Sequence, residues 1–430
     1  MTGFGALLVR NRNYRYTWLG QIVSEVGDHF NNIAVLSLAV QETHNGVAVM
    51  GVLLSRAIPA VLIGPLAGVM LDRFDRRRIM IASDLIRGFI ALGFIYAASQ
   101  HQAWMLYVLS ALLMVSSPFF TSGRSAILPA IATKDELHTA NSLTQTTGWL
   151  TLSVGAYFGG TTAAKFGYTL AFLFNSLSFF VSAYCIFRLR VERGHFRAQD
   201  RGLNETKVAR PWHEYREGLS YMAKTPLILG IGLIAVGWAS GGGAAQVLFT
   251  LFSELVFKRG AQGLGQLWGM AGVGLLVGGF IGNRLGKRIG FEAYKKTVFF
   301  CYLLHGGAYV VFSQMGHWGW ALFFMAVSRG AVAVSSLLNW SNLLKHVDDR
   351  YRGRVFSTIE TLNWSTMMLS MLAAGLASQH YSVQTIGAVS GLLSSSTAIF
   401  WGWANWTGKL PEPAVSEDDA VVEIHGDPTS

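Results

Sequence analysis

The 430 residues are 51% hydrophobic and only 13% charged, with a mean hydropathy of +0.37, which leaves too little polar surface to coat a soluble body of this size. The chain therefore reads as an all-α polytopic membrane protein. Its formal charge of +10 does not point to nucleic acid, because the basic residues gather in short loops between apolar runs and not on a water-facing module.

Arg10, Arg12 and Arg15 precede the first apolar run, which lacks the short uniform core and small-residue cleavage site of a removable leader. That run, at roughly 16–40, carries Gln21, Glu25, Asp28, His29 and Asn32 at spacings that put them on one helical face. A charge at mid-membrane costs ~2.5–3.5 kcal/mol on insertion scales, so this face should look into a bundle interior or a watery cavity. Asp28 and Glu25 are the candidates for proton uptake and release, with the titratable His29 beside them. The plain alternative pairs Asp28 with a cation such as Arg56 on the second span and gives it a packing role.

The second span, roughly 48–71, ends in "GPLAGVMLDRFDRRR". Here Gly64 and Gly68 would allow close approach of a neighbour, and six of the seven residues from Asp72 to Arg78 are charged. The third span, 79–99, has Asp84 and Arg87 at i and i+3 on one face. The fourth, 103–128, carries Arg124 near its end. Together with Gly68, Asp72, Arg73 and Arg76, these three are expected to form a charged gate; the alternative is that the arginines only fix topology.

The fifth span, 140–163, contains a GxxxG pair, Gly155 and Gly159, with Gly160 beside it, for which close packing of the fifth and eighth spans is one reading. The sixth is at 167–187. After a polar gap come 226–252 with Gln246, 264–283, 296–314, 318–344 with Arg329 and Asn339, 355–379 with Glu360 and Asn363, and 383–406. Gln246 and Arg329 join the cavity candidates, and Arg329 would answer an anionic group or a coupling carboxylate, or be a satisfied structural charge. Glu360 and Asn363 are expected near the cytoplasmic end, in a second latch. Cys185 and Cys301 have no metal or disulfide spacing and should be packing residues.

With the N-terminus cytoplasmic, the loops after even-numbered spans hold most of the lysines and arginines, whereas the opposite loops offer only Lys165, Lys258 and Arg259. Both termini are thus expected in the cytoplasm, at the inner membrane of a bacterium. The organisation predicted is a six-helix bundle at 1–187, a cytoplasmic linker at 188–225, a second bundle at 226–406 and a disordered acidic tail at 407–430. Within the linker, Trp212, Tyr215, Leu219 and Met222 recur at helical spacing, which suits a helix on the membrane surface or an ordinary solvated connector.

The halves repeat. "LDRFDRRR" has a weak counterpart in "GNRLGKRIG", and "AILPAIATKDELHTANSL" in "NLLKHVDDRYRGRVFSTI", each about half the chain apart. On these residues the chain resembles the major facilitator superfamily. "GPLAGVMLDRFDRRR" is similar to its signature loop between helices two and three; "GQIVSEVGDHFNNIAV", "SDLIRG" and "RGRVF" are similar to its bacterial efflux branch, which includes macrolide and siderophore exporters. The resemblance implies twelve transmembrane helices in two pseudo-symmetric six-helix bundles, and a conformational latch at Asp72 and Arg73, extending more loosely to Arg76, Arg77 and Arg78. The proline that exporters of this superfamily carry in the fifth helix is missing from this chain.

HExxH, GxSxG, GxxxxGK[ST] and paired CxxC motifs do not occur, so neither enzyme activity nor a cofactor or metal is expected, and an ion gradient is the expected energy source. The aromatic and methionine-rich composition suits bulky amphipathic cargo. The expectation is proton-coupled export of hydrophobic or amphipathic small molecules by a chain working as a monomer in the lipid bilayer. The alternatives are a lipid or lysolipid carrier and a non-transporting receptor or scaffold.

Overall fold

The computed structural model describes residues 4–190, 196 and 211–413. In chain order they form α1 (Phe4–Arg10), α2 (Arg12–Thr43), α3 (Gly46–Arg73), α4 (Arg76–Gln100), α5 (Ala103–Ile131), α6 (Lys134–Phe166), α7 (Tyr168–Phe187), α8 (Pro211–Lys224), α9 (Pro226–Leu251), α10 (Gly260–Gly286), α11 (Phe291–Gln314), α12 (Trp318–His346), α13 (Asp349–Ala377) and α14 (Val383–Trp406). A π-helical turn, Phe252–Val256, continues α9. All but α1 and α8 are of membrane-crossing length, which gives the twelve spans predicted.

Eight of these helices are apolar enough to cross a membrane on length and composition. The rest, α2, α6, α11 and α13, are diluted by polar side chains. In α2, for example, Gln21, Ser24, Asn31 and Ser37 are buried inside the protein, away from lipid.

Helix limits follow from capping as much as from hydropathy. Asn45 accepts the Val47 backbone N–H and starts α3, and Asp75 accepts the Arg78 N–H and starts α4. These side chains satisfy amides that a helix start leaves without partners. Asn11 caps α2 through the Tyr14 N–H and also donates to the Ile131 carbonyl at 2.7 Å, tying α2 to the end of α5.

Thr133 and Glu136 make a capping box at the start of α6, and Asn11 Nδ2 reaches the Glu136 carboxylate at 3.1 Å. The backbone N–H of Thr133, then Asn11, hold the Glu136 carboxyl below its ordinary value of 4.5. Its stabilisation is therefore complete above that value and lost as pH falls through the lower folded value. The melting temperature of the wild type should exceed that of Glu136→Gln at neutral pH, with the gap closing in acid; a gap constant from neutral to acid pH would contradict this role.

Two compact units divide the chain: Met1–Glu205 with Gln246–Val273 and Ala374–Val383, and Thr206–Ala245 with Gly274–Ala373 and Gln384–Ser430. This spatial division differs from the sequence division at 187 and 226, because the π-turn end of α9 and the first half of α10 pack with the first unit. There Ser37 of α2 bonds Glu254 of the π turn and lies 3.1 Å from the Tyr168 hydroxyl. Gly160 of α6 meets Gly265 of α10 so closely that a Cβ on Gly160 would come within 2.4 Å of the Ala261 carbonyl. Gly155 and Gly159 face α2 instead, against His29 and Phe30. Gly64 and Gly68 are a correction: a Cβ on either would meet nothing within 4 Å, so among the described residues no neighbour uses the approach they permit.

In the second unit, α8 docks on α13. Glu217 pairs with Arg354, the Tyr221 and Tyr351 rings stack at 4.7 Å, and Met222 is buried. The linker helix thus packs Tyr221 and Met222 against protein, while Leu219 stays exposed. The predicted linker residues Arg193, Arg197, Arg201, Lys207 and Arg210 lie outside the described residues, as does the tail beyond 413. The root of that tail is packed, with Leu410 buried and its carbonyl accepting from Lys295 Nζ at 3.0 Å.

Candidate functional site

The polar face of α2 meets cations from three other helices. Glu25 Oε1 lies 3.0 Å from Arg124 Nη1 of α5 and accepts from Gln21 Nε2 at 2.9 Å, while its other oxygen accepts from Thr151 of α6 at 2.8 Å. One turn on, Asp28 lies 4.0 Å from Arg87 of α4. Arg87 is also bonded to Asp84 on its own helix and is fully buried with it. The rings of Phe120 and Phe179 lie over the guanidinium at 4.8 and 4.4 Å and supply the apolar half of its setting.

Two carboxylates therefore compete for one guanidinium, on unequal terms. Asp84 is closed in, whereas 31% of the Asp28 side chain remains accessible. A buried ion pair is held by the cost of leaving either partner alone, so Asp84 and Arg87 form the fixed part and Asp28 the exchangeable one. Farther along the same face, Arg56 of α3 bonds Asn32. Asp28 thus lies within ion-pair distance of Arg87, while Arg56, bonded to Asn32, also acts on Asp28 through its charge. His29 lies against Gly155 of α6.

The structure divides the predicted gate set. Asp84, Arg87 and Arg124 join the α2 carboxylates inside the first unit. Asp72 instead pairs with Arg76 one turn away at 3.6 Å, while Arg73 is exposed. Arg76 also donates to the Ala126 carbonyl at 3.0 Å, and Arg77 donates to the carbonyls of Ile186 and Phe187 that end α7. Arg77 thus satisfies carbonyls at a helix end, which have no intrahelical donors, and Arg76 ties the hinge to the body of α5.

Gln246 lies in the segment of α9 that belongs to the first unit. Arg329 belongs to the second unit, buried in α12, where it lines a small cavity with His305, Tyr309, Ser390 and Ser394. His305 was not singled out from the sequence. Its Nδ1 is 2.7 Å from the Ser328 hydroxyl and its Nε2 2.7 Å from that of Ser394, bridging α11 to α12 and α14. A histidine inside the apolar run "YLLHGGAY" was the available signal.

Ionic groups paired inside bundles of membrane-length helices mark proteins that carry solutes through the bilayer. The model of the Major Facilitator Superfamily matches residues 17–371, and the chain belongs to that superfamily. It is 28% identical over 402 residues to the uncharacterized MFS-type transporter YfiS of Bacillus subtilis (strain 168), covering 90% of this chain and 92% of that one. It is 25% identical to the putative bacilysin exporter BacE of the same organism, covering 84% and 89%. A bacterial homologue of the iron transporter ferroportin, solved in an inward-facing state, superposes with a TM-score of 0.67 over 91% of this chain and 98% of that one. At 18% identity that likeness is one of fold. The chain is accordingly a multi-pass membrane transporter with efflux-type relatives.

Proposed function

We propose that the protein exports hydrophobic or amphipathic small molecules in exchange for protons, by alternating access in a bacterial inner membrane, with its basic loops and both termini on the cytoplasmic side. The observation that carries this reading is Arg87, placed between a closed carboxylate, Asp84, and an accessible one, Asp28. When Asp28 takes up a proton, Arg87 is left wholly to Asp84; when the proton leaves, the guanidinium is shared again. This gives helix α2 two electrostatic states at little structural cost, which is what coupling to a proton requires. The likeness to BacE, a putative bacilysin exporter, supports the outward direction and a cargo of small-molecule size. The positive-inside bias supports the orientation.

The test is efflux from proteoliposomes, using a panel of dyes and antibiotics with and without an imposed proton gradient. Asp28→Asn should lose gradient-driven movement down to the level of empty liposomes, while cargo-for-cargo exchange persists. Gradient-driven transport unchanged in Asp28→Asn would remove this carboxylate from the mechanism.

A further inference from the structure

The second unit contains a cavity of about 190 Å³ between α9, α11, α12 and α13 that none of the residues described so far explains. Three aromatic residues line it: Trp238 of α9, Tyr302 of α11 and Trp340 of α12. Its polar lining includes Asn339 of α12 and Glu360 and Asn363 of α13. No lysine, arginine or histidine is among the lining residues.

The chemistry of this lining is one-sided. Glu360 accepts one hydrogen bond, from the Trp364 indole at 2.9 Å, and no basic side chain within reach pairs with it among the described residues. Its side chain is exposed at the rim of the cavity, so the carboxylate is open to an incoming cation. Asn339 gives its oxygen to the Tyr294 hydroxyl at 3.0 Å, which leaves its amide N–H groups for another partner. The Trp238 indole N–H is buried without an acceptor. Trp340 is held in place by Phe356, stacked 4.6 Å away and 8° from parallel.

Aromatic faces arranged with one carboxylate attract an organic cation through the ring quadrupoles and the opposite charge together. A buried indole N–H and free amide donors would, besides, meet an acceptor on the same ligand. A volume of 190 Å³ holds one ring or one alkylammonium head, well short of the ~300–1,000 Å³ of a whole drug-sized pocket. It is a subsite.

We infer that this cavity binds the ammonium-bearing end of an amphipathic cargo, with Glu360 opposing the charge and Trp238, Tyr302 and Trp340 enclosing the apolar part. The inference rests on the transporter reading above and narrows its cargo to organic amines. Asn339 and Asn363 select for an oxygen acceptor near the amine.

The test compares phenethylammonium with neutral 2-phenylethanol, titrated into the purified full-length protein in nanodiscs with tryptophan fluorescence and calorimetry as readouts. The ammonium compound should bind about tenfold more tightly or better, the scale expected of a desolvated cation–π contact reinforced by a carboxylate. In Glu360→Gln, which keeps an acceptor for Trp364, that preference should vanish while binding of the alcohol is unchanged. Trp340→Leu should weaken both compounds.

Equal binding of the two compounds to the wild type overturns the inference. So does failure of both to bind well-folded protein, or a preference retained in Glu360→Gln. Because the measurement is at equilibrium and needs no gradient, it is separable from the export reading. Ammonium binding without gradient-driven efflux would remove proton coupling and leave the subsite, whereas efflux without an ammonium preference would do the reverse.

Discussion

Arg87→Met is expected to yield little folded protein, and what folds should melt at a much lower temperature than the wild type. The substitution keeps the apolar contact with Phe120 and Phe179 but leaves Asp84, which is wholly buried, without its counter-charge. Breaking one side of a buried pair costs about 3–5 kcal/mol, a large part of the ~5–15 kcal/mol that separates folded from unfolded states in ordinary domains. Arg87→Lys should rescue poorly, because a compact ammonium cannot face two carboxylates and two rings at once. The decisive variant removes both charges. Asp84→Asn combined with Arg87→Met should recover much of the loss, since the uncompensated carboxylate is gone. Melting curves of detergent-purified protein measure all three, and an Arg87→Met variant as stable as the wild type would show that Asp84 is neutralised by other means.

Gly160→Val is expected to separate α6 from α10. The added carbon atoms would fall on the Ala261 carbonyl and the Gly265 backbone, and backbone atoms cannot swing aside as a long side chain can. Overpacking of this kind costs about 1–3 kcal/mol where the surroundings can shift, and where they cannot the contact opens. Ser153, which donates to the Gly269 carbonyl at 2.9 Å, would lose its acceptor in the same event. The readout is a cysteine at position 156, where the native alanine is buried, in protein whose Cys185 and Cys301 are replaced by serine. A membrane-impermeant maleimide should label that cysteine slowly with Gly160 present and rapidly with valine there. Equal rates would mean the contact survives. Transport should fall together with protection, because the two helices could no longer close on each other.

The α2 face of Glu25, Asp28 and Asn32 was legible because helical periodicity is fixed by backbone geometry, so spacing alone places residues on one side. Which cations they meet was not. Arg56 lies one helix away in sequence order and Arg87 two, and only the folded bundle, in which α4 and α2 both pack on α7, brings Arg87 to Asp28 and Arg56 to Asn32. The hinge arginines illustrate a different limit. Their charge predicts a side of the membrane, but Arg76 and Arg77 also reach carbonyls 50 and 109 residues away, a fact that no local pattern encodes. Glycines were ambiguous for the same reason. Gly68 and Gly160 look alike in sequence, yet one faces open space and the other a backbone. Glu360 stood out as a charge in an apolar run, whereas Trp238 and Tyr302 were invisible among many aromatic residues, their distinction being only that they surround a void.

The π turn at Phe252–Val256 holds one residue of slack. Closing it to ordinary α winding would feed that residue into the helix and rotate everything on one side by about 100° relative to the other. Glu254 would then leave Ser37, and Ser253 would let go of the Gly260 carbonyl, which it now holds at 2.6 Å. The last turn of α9 thus carries spare winding, and tightening it would move Glu254 and the loop that leads into α10 while the rest of the helix keeps its hydrogen bonds.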